Sequence, residues 1–592
     1  MEQRLDSLRR AMAERGYDAL VVPRADEFLG EYIPERNERL HWLTGFTGSA
    51  GAAVVLADRA AMFVDGRYTV QVQSQVRDDL YSFHHLVDEP PLQWLAEQLE
   101  SGQTVACDPR LHSYQWCEQA RETLGAMGVS LVCDSDNLVD RCWTERPEEV
   151  IREALLLDEA FTGESAESKR VRMAALVAQV DCDAALVFAP DSVSWLLNVR
   201  GTDMPQLPVL LSFALLDVQG SLALFTDDRR LPAGFRAHVG EGVEVYPPAS
   251  FTGVLAEMSG RRILADPANA SAWTQQAIVA AGAELVAGKD PVLLAKACKN
   301  PVELAGTRAA HLRDGVAVSR FLAWLAGEVA AGNLHDEAVL ADELYRLRAG
   351  GEYFHACSFD TISAAGANAA MCHYNHMNGE PGTLQRDSVY LCDSGGQYLD
   401  GTTDVTRTVA IGDPGPEVRR LFTLVLKGHI ALDRARFPRG TTGMQLDALA
   451  RQYLWAEGFD FDHGTGHGVG VFLSVHEGPQ RISKTAGDTA LMPGMIVSNE
   501  PGYYRDGRFG MRCENLLVVR ECDDADAETP MLGFEALTLA PFDVSLLDMT
   551  LLTPEEVDWL NAYHARVADS LQPFVSGADA AWLASATAVI GH

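Results

Sequence analysis

Asp393 and Asp404 in LCDSGGQYLDGTTDVTRT, His467 in HGTGHGVG, Glu500 in VSNEPG and Glu514 in MRCENLLVV restrict the folding of this chain more than any other pattern in it. Four carboxylates balance the charge of two divalent cations, and a neutral imidazole leaves that balance unchanged. Two such cations acidify a water shared between them, so the set points to hydrolysis. To act together, side chains spread from position 393 to position 514 must converge on one pocket. Local sequence allows this. Asp393 ends the strand-like VYLCD, Asp404 opens TTDVTRTVA, and GGQYLDG between them can reverse the chain. His467 lies among glycines that permit close approach to a crowded centre, and Glu500 ends VSN just before Pro501-Gly502. In a strand, Arg512 and Glu514 project to one face and Cys513 to the other. An acidic hairpin alone is more often surface or turn chemistry, and a lone histidine more often a surface or core group. The weight lies in the whole set recurring at turns and strand ends.

The 592 residues suggest roughly three to four domains, and 47% hydrophobic residues supply sizeable cores. A formal net charge of -35 argues against nucleic acid and anionic membrane as partners. No stretch reads as a transmembrane span, and MEQRLDSLRRAMAERGYDALVV reads as an amphipathic helix entering a strand rather than a leader, which gives the expectation of a cytoplasmic protein. Eleven scattered cysteines without a CxxC pair read as reduced, mostly packed residues; Cys392 and Cys513, beside proposed ligands, are expected in the core.

The fold expected is two related N-terminal α/β domains followed by an α+β catalytic domain built on a curved antiparallel sheet. The first, residues 1–155, alternates helix and strand signals. The second, residues 156–300, repeats its pattern: GYDALVV at Gly16 returns as DCDAALVF at Asp181, HWLTGFTGS at His41 as SWLLNVRGTD at Ser194, and AMFVDGR ending at Arg67 as ALFTDDR ending at Arg229. The third, residues 301–592, opens at Asn300-Pro301-Val302-Glu303, a helix cap with proline at the first position and an acid at the third. Helices are expected near 336–348, 417–435 and 444–457, and a capped one from Thr553. The Ala/Ser-rich last 20 residues read as peripheral.

With these residues in place, the chain resembles the aminopeptidase P branch of the metallopeptidases with a "pita-bread" fold, in its long three-domain form. The likeness spans nearly the whole chain and includes FVDGRY (63–68), NVRGTD (198–203), His373-Tyr374, DGTTDVTRT (400–408), VHEGP (475–479) and FEALTLAP (534–541). The resemblance implies release of the N-terminal residue from peptides with proline second, using two divalent metal ions, normally Mn²⁺, with Zn²⁺ or Co²⁺ as the other candidates. It implies that Asp404 and Glu514 bridge the ions, that Asp393 binds the first, and that His467 and Glu500 complete the second. It makes Glu500 the proton acceptor, His373 and His476 the groups that steady the substrate carbonyl and tetrahedral intermediate, and His463 a residue that helps hold the peptide. A homodimer through the catalytic domain is also implied. Arg512 is expected to organise the ligands, because a guanidinium stays protonated. Arg67 and Arg200 are expected in structural pairing, whereas Asn375 and His376 have no settled role. A prolidase-like dipeptidase is the nearest alternative; a non-proteolytic creatinase-like protein and a methionine aminopeptidase stand further off.

Overall fold

Leu5, Leu8 and Met12 recur at helical spacing, and the helix Glu2–Arg15 buries all three before Gly16, at φ 72°, ends it. In the computed structural model, which describes residues 1–485, 487–523 and 527–591, this helix leads into the central strand of a six-stranded sheet. The strands run in the order Ser82–His85, Ala60–Val64, Ala52–Leu56, Ala19–Pro23, Thr104–Cys107, Ser130–Cys133. A second six-stranded sheet runs Val243–Tyr246, Leu222–Phe225, Phe213–Asp217, Ala184–Val187, Arg262–Ala265, Glu284–Ala287. Strand for strand, the parallel and antiparallel pairings are the same in both.

The sequence repeat falls on equivalent positions of these sheets: DALVV and DAALVF supply the central strands, AMFV and ALF the third strands outward. Even the ion pairs repeat. Arg67 makes a two-pronged contact with Asp65, and Arg229 makes one with Asp227. Arg67 is thus structural, as expected, and Arg200 is buried, donating to Ser194 O and Val199 O. The eleven cysteines are all free thiols.

The chain divides into two compact units: Met1–Leu156, Glu164–Met204 and Val209–Leu293 form one, and Leu157–Gly163, Pro205–Pro208 and Leu294–His592 the other. Both α/β sheets belong to the first unit. The second unit opens with the helix Pro301–Ala331, capped as its sequence predicts: Asn300 Oδ1 accepts from the Val302 and Glu303 amides, and the Asn300 amide donates to Glu303 Oε2 at 3.0 Å. His311, Val318, Phe321, Leu322 and Leu325 line its buried face.

The curved antiparallel sheet of this unit comes in segments. One joins Ile362–Ala365, Ser388–Ser394 and Val405–Ile411. Another, six-stranded, joins Phe437–Pro438, Met531–Ala536, Asn515–Glu521, Ile496–Asn499, Gly466–Gly468 and Glu477–Ile482. Tight hairpins at Gly396–Tyr398/Gly401–Thr402 and Gly502–Arg505/Phe509–Arg512 occupy the two predicted turn sequences. The helices Glu337–Ala349, Pro416–Asp433, Gly443–Trp455 and Pro554–Leu571 lie where expected.

The C-terminal Ala/Ser-rich residues are mostly exposed, as a peripheral segment should be. Gly577–Ala586 is a helix that buries Leu583, and Arg320 of the long helix pairs with its Asp579 at 3.0 Å. Alanine supplies helix propensity there, and one leucine and Trp582 suffice to dock it on the catalytic unit's cores. Among the described residues, no helix is long and apolar enough to cross a membrane.

One close approach positions the site. Pro416–Asp433 packs on Gly443–Trp455 so tightly that a Cβ on Gly428 would lie 2.0 Å from Ala450 O. The next residue, His429, is fully buried and reaches Asn499 O and Cys513 O at 3.1 and 3.2 Å, beside two of the proposed ligands. In an unhindered helix Gly→Ala gains about 1 kcal/mol. Here the clash with backbone reverses the sign, so Gly428→Ala should lose about 1–3 kcal/mol of stability in denaturant unfolding; an unchanged or more stable variant would contradict this packing.

Candidate metal centre

Strand register assembles the centre. Ser388–Ser394 pairs antiparallel with Val405–Ile411, Asp393 opposite Thr406, so Asp404 emerges one residue before the ladder on the same side as Asp393. Ile496–Asn499 pairs with Asn515–Glu521, Asn499 opposite Asn515, so Glu500 and Glu514 leave that ladder side by side. Gly468 lies opposite Val497 and brings in His467. A Cβ at Gly466 would meet Ser498 O at 2.0 Å, so this approach needs glycine.

Donor atoms of Asp393, Asp404 and Glu514 lie within 4.8 Å of one another, as do those of His467, Glu500 and Glu514, and those of Asp404, His467 and His476. All five sequence-predicted ligands therefore meet in one place. Asp404 and Glu514 are the carboxylates that occur in more than one of these groups.

His467 Nδ1 donates to Gly468 O at 2.9 Å, which leaves the Nε2 lone pair facing Asp404 Oδ2 at 3.6 Å and Glu500 Oε1 at 3.5 Å. A lone pair and carboxylate oxygens repel one another unless something positive lies between them. Asp393 Oδ1, Asp404 Oδ1 and Glu514 Oε1 are buried acceptors with no hydrogen-bond partner, a state proteins avoid unless another species satisfies them. These orphaned oxygens and the facing imidazole fit divalent cations, and the oxygen-rich set suits a hard ion.

The protein supplies little countercharge of its own. Arg512 Nη2 contacts Asp393 Oδ2, while its Nε donates to Thr406 Oγ1 at 3.0 Å; Thr406 in turn donates to Glu514 Oε2 at 2.7 Å. Burial, reinforced by Glu514, Asp393 and Glu500, drives the Asp404 carboxyl well above the ordinary range. Burial, with Asp393 and Glu500, does the same to Glu514. Glu500 is pushed up to about 7, by burial first and then by Asp393, against the pull of Arg512 and His476.

The additional histidines are placed differently. The His476 ring meets that of His467 edge to face at 4.4 Å, and its neighbour Glu477, buried, anchors the loop through Lys296 at 2.8 Å and Lys299 at 2.5 Å. His463 has both ring nitrogens engaged, with Gly464 O and with Tyr504 OH, each at 2.7 Å. Arg512 Nη1 donates to that same hydroxyl at 2.6 Å, so His463 connects to Asp393 through Tyr504 and Arg512. His373 is half-buried in the segment whose Cys372 carbonyl accepts from Arg512 Nη1 at 3.5 Å. Asn375 donates to Asp360 Oδ2 at 3.3 Å, and His376 is buried. Cys392 and Cys513 are core residues.

Sequence reasoning missed Tyr504, Thr406, His429 and Arg407. Buried Arg407 donates to Glu514 O at 2.5 Å, Thr406 O at 2.8 Å and Asn515 Oδ1 at 2.8 Å, which fixes the backbone that carries the Glu514 side chain. Thr406 and Arg407 lie within the motif DGTTDVTRT, and Tyr504 opens the turn sequence YRDGRFG, whereas His429 lies in no motif singled out.

The fold and the carboxylate cluster define a metallopeptidase of the two-cation kind. Residues 305–521 match metallopeptidase family M24, residues 530–590 the C-terminal region of peptidase M24, and residues 4–142 and 145–303 each match the creatinase/prolidase N-terminal domain. A probable Xaa-Pro aminopeptidase P of Fusarium vanettenii is 40% identical over 611 residues, covering 99% of this chain and 98% of its own. The crystal structure of X-prolyl aminopeptidase from Caenorhabditis elegans, described as a cytosolic enzyme with a di-nuclear active site, superposes with a TM-score of 0.94 at 34% identity and covers 99% of each chain. An Xaa-Pro dipeptidase from Bacillus anthracis, 22% identical with a TM-score of 0.51, shares the fold over only 64% of this chain. The chain belongs to the Xaa-Pro aminopeptidase P family of M24 metallopeptidases.

The raised carboxyls set a sign for pH dependence. A folded carboxyl near 7 against an ordinary 4.5 means that the metal-free fold holds more protons than the unfolded chain in that window, so its stability falls as pH rises through it. Cations compete with those protons and fill the role at higher pH. Added Mn²⁺ should therefore raise Tm more at about pH 8 than at about pH 5.5; an equal or smaller gain at the higher pH would contradict the electrostatics.

Proposed function

We propose that this chain hydrolyses the Xaa-Pro bond of peptides whose second residue is proline, releasing the N-terminal residue. The observation that carries the reading is the convergence of Asp393, Asp404, His467, Glu500 and Glu514, with three orphaned carboxylate oxygens, in a chain that matches Xaa-Pro aminopeptidase P relatives over nearly its full length. We infer that Asp404 and Glu514 would bridge two ions, that Asp393 would hold the first and that His467 and Glu500 would complete the second. Mn²⁺ is the preferred candidate, with Zn²⁺ or Co²⁺ as the others. When bound, such a pair acidifies water and polarises the scissile carbonyl.

The chain's own groups do the rest. Glu500, held by Ser498 Oγ at 3.1 Å, is the carboxylate placed to take a proton from the attacking water. His476, on its lysine-anchored loop against His467, is the donor for oxygen as negative charge develops, and His373 shares that role from the segment beside Arg512. His463 would have to release Gly464 O or Tyr504 to hold the peptide directly; as held here it acts on Asp393 through Tyr504 and Arg512.

The resemblance also supports a homodimer and a cytoplasmic location. We propose domain limits of 1–155, 156–300 and 301–592. The catalytic residues all fall in the third.

Metal-depleted protein restored with Mn²⁺ should cleave Xaa-Pro-Xaa at least about tenfold more efficiently than Xaa-Pro or Xaa-Ala-Xaa. Preference for the dipeptide would replace this reading with a prolidase-like one. Asp404→Asn removes a bridging charge and should lower kcat/KM at least about tenfold, or ~1.4 kcal/mol of transition-state stabilisation. His476→Ala should slow cleavage while retaining the metal content. Near-normal cleavage by metal-replete Asp404→Asn, or metal loss in His476→Ala, would overturn the assigned roles.

A further inference from the structure

Away from the carboxylate centre, three cysteines from three elements of the first α/β domain converge. Cys107 ends the strand Thr104–Cys107, and Cys133 ends Ser130–Cys133 as its direct register partner. Cys117 comes in from the helix Tyr114–Gly125. Their sulfur atoms lie within 4.8 Å of one another. Three sulfurs around one ion at the ~2.3 Å of a zinc–thiolate bond lie about 4 Å apart, so a small inward shift would complete a trigonal set.

Buried cysteines commonly pack as small apolar groups, and Ala272, Trp116 and Leu131 do border these. Packing alone does not explain the polar donors directed at the sulfur. Arg121 Nη2 lies 3.6 Å from Cys133 Sγ, and Gln276 Nε2 lies 3.7 Å from it, as hydrogen-bond donors. Both favour a thiolate over a thiol. Close by, His112 is buried and stacked on Trp116 at 3.9 Å, with an Nε2 that has no hydrogen-bond partner. Gln276 and Ala272 belong to the helix Ala272–Ala280 of the second α/β domain, so the sulfurs lie where the two domains of this unit meet.

We propose that Cys107, Cys117 and Cys133 form a three-thiolate site for one thiophilic divalent cation of the Zn²⁺ or Cd²⁺ class. Binding converts each remaining thiol to a thiolate and releases its proton to solvent. Three thiolates and one divalent cation leave a single negative charge, which the Arg121 guanidinium offsets. Donor softness separates this site from the oxygen-rich centre. The ion would cross-link two strands and a helix at the seam with the second domain.

The test titrates Cd²⁺ into the full chain after Mn²⁺ has filled the carboxylate centre, under reducing conditions. Ultraviolet thiolate-to-cadmium charge-transfer absorption should rise and saturate at one equivalent, because oxygen and imidazole donors give no such band. Cys133→Ser and Cys107→Ala should each abolish the band or raise the half-saturating Cd²⁺ concentration at least tenfold, whereas Cys182→Ser should change neither. Should the cluster variants misfold, the unsubstituted chain still decides: one equivalent of Cd²⁺ should slow alkylation of Cys133 at least tenfold and leave half-buried Cys522 unaffected. Absence of the band at one equivalent, its persistence in both cluster variants, or unprotected Cys133 would overturn the site.

Discussion

Four carboxylates and an imidazole lone pair crowded around one small volume set the terms for everything near them. Two full negative charges 4.8 Å apart repel by about 3.5 kcal/mol even at an effective dielectric of 20. The Arg512 guanidinium contacts the cluster directly, at Asp393. Burial and mutual repulsion therefore raise the Asp404, Glu500 and Glu514 carboxyls above the ordinary range. Cations relieve the same repulsion without removing the charge, and the chemistry of the site follows from that substitution.

Such crowding persists only if the backbone cannot relax. The ladder ends at Asp393/Asp404 and at Glu500/Glu514 are fixed by register. Arg407 ties down the Glu514 carbonyl, His429 reaches Asn499 O and Cys513 O, and Glu477 is clamped between two lysines beside His476. Each support is itself a buried charge or polar group with its partners in place. Removing one partner would leave the other uncompensated, the costly case for buried charge.

The proposed ligands were legible because they sit at or near strand ends beside turns, in a pattern local enough to see in LCDSGGQYLDGTTD or VSNEPG. The two α/β domains were legible through a repeat that falls on matching strands of matching sheets. Helix starts at Asn300 and Thr553 announced themselves by capping chemistry. The roles of Arg407, His429 and Thr406 were not legible, even though DGTTDVTRT contains two of them, because their work is done through partners up to 108 residues away. The engagement of both His463 nitrogens could not be foreseen either, since it depends on Tyr504 across a hairpin. The terminal helix escaped notice because alanine and serine carry almost no periodic apolar signal, although Leu583 and Trp582 dock it. The convergence of Cys107, Cys117 and Cys133 required the parallel register of two strands that no sequence spacing reveals.

Anomalous diffraction at the manganese edge from Mn²⁺-loaded crystals tests the two-cation centre most directly. Two peaks about 3.5–4 Å apart, within bonding distance of Asp404 and Glu514 and flanked by Asp393 on one side and His467 with Glu500 on the other, are the expected result. A single peak, or ions bound elsewhere with these five side chains still hydrogen-bonded only to protein, would contradict it.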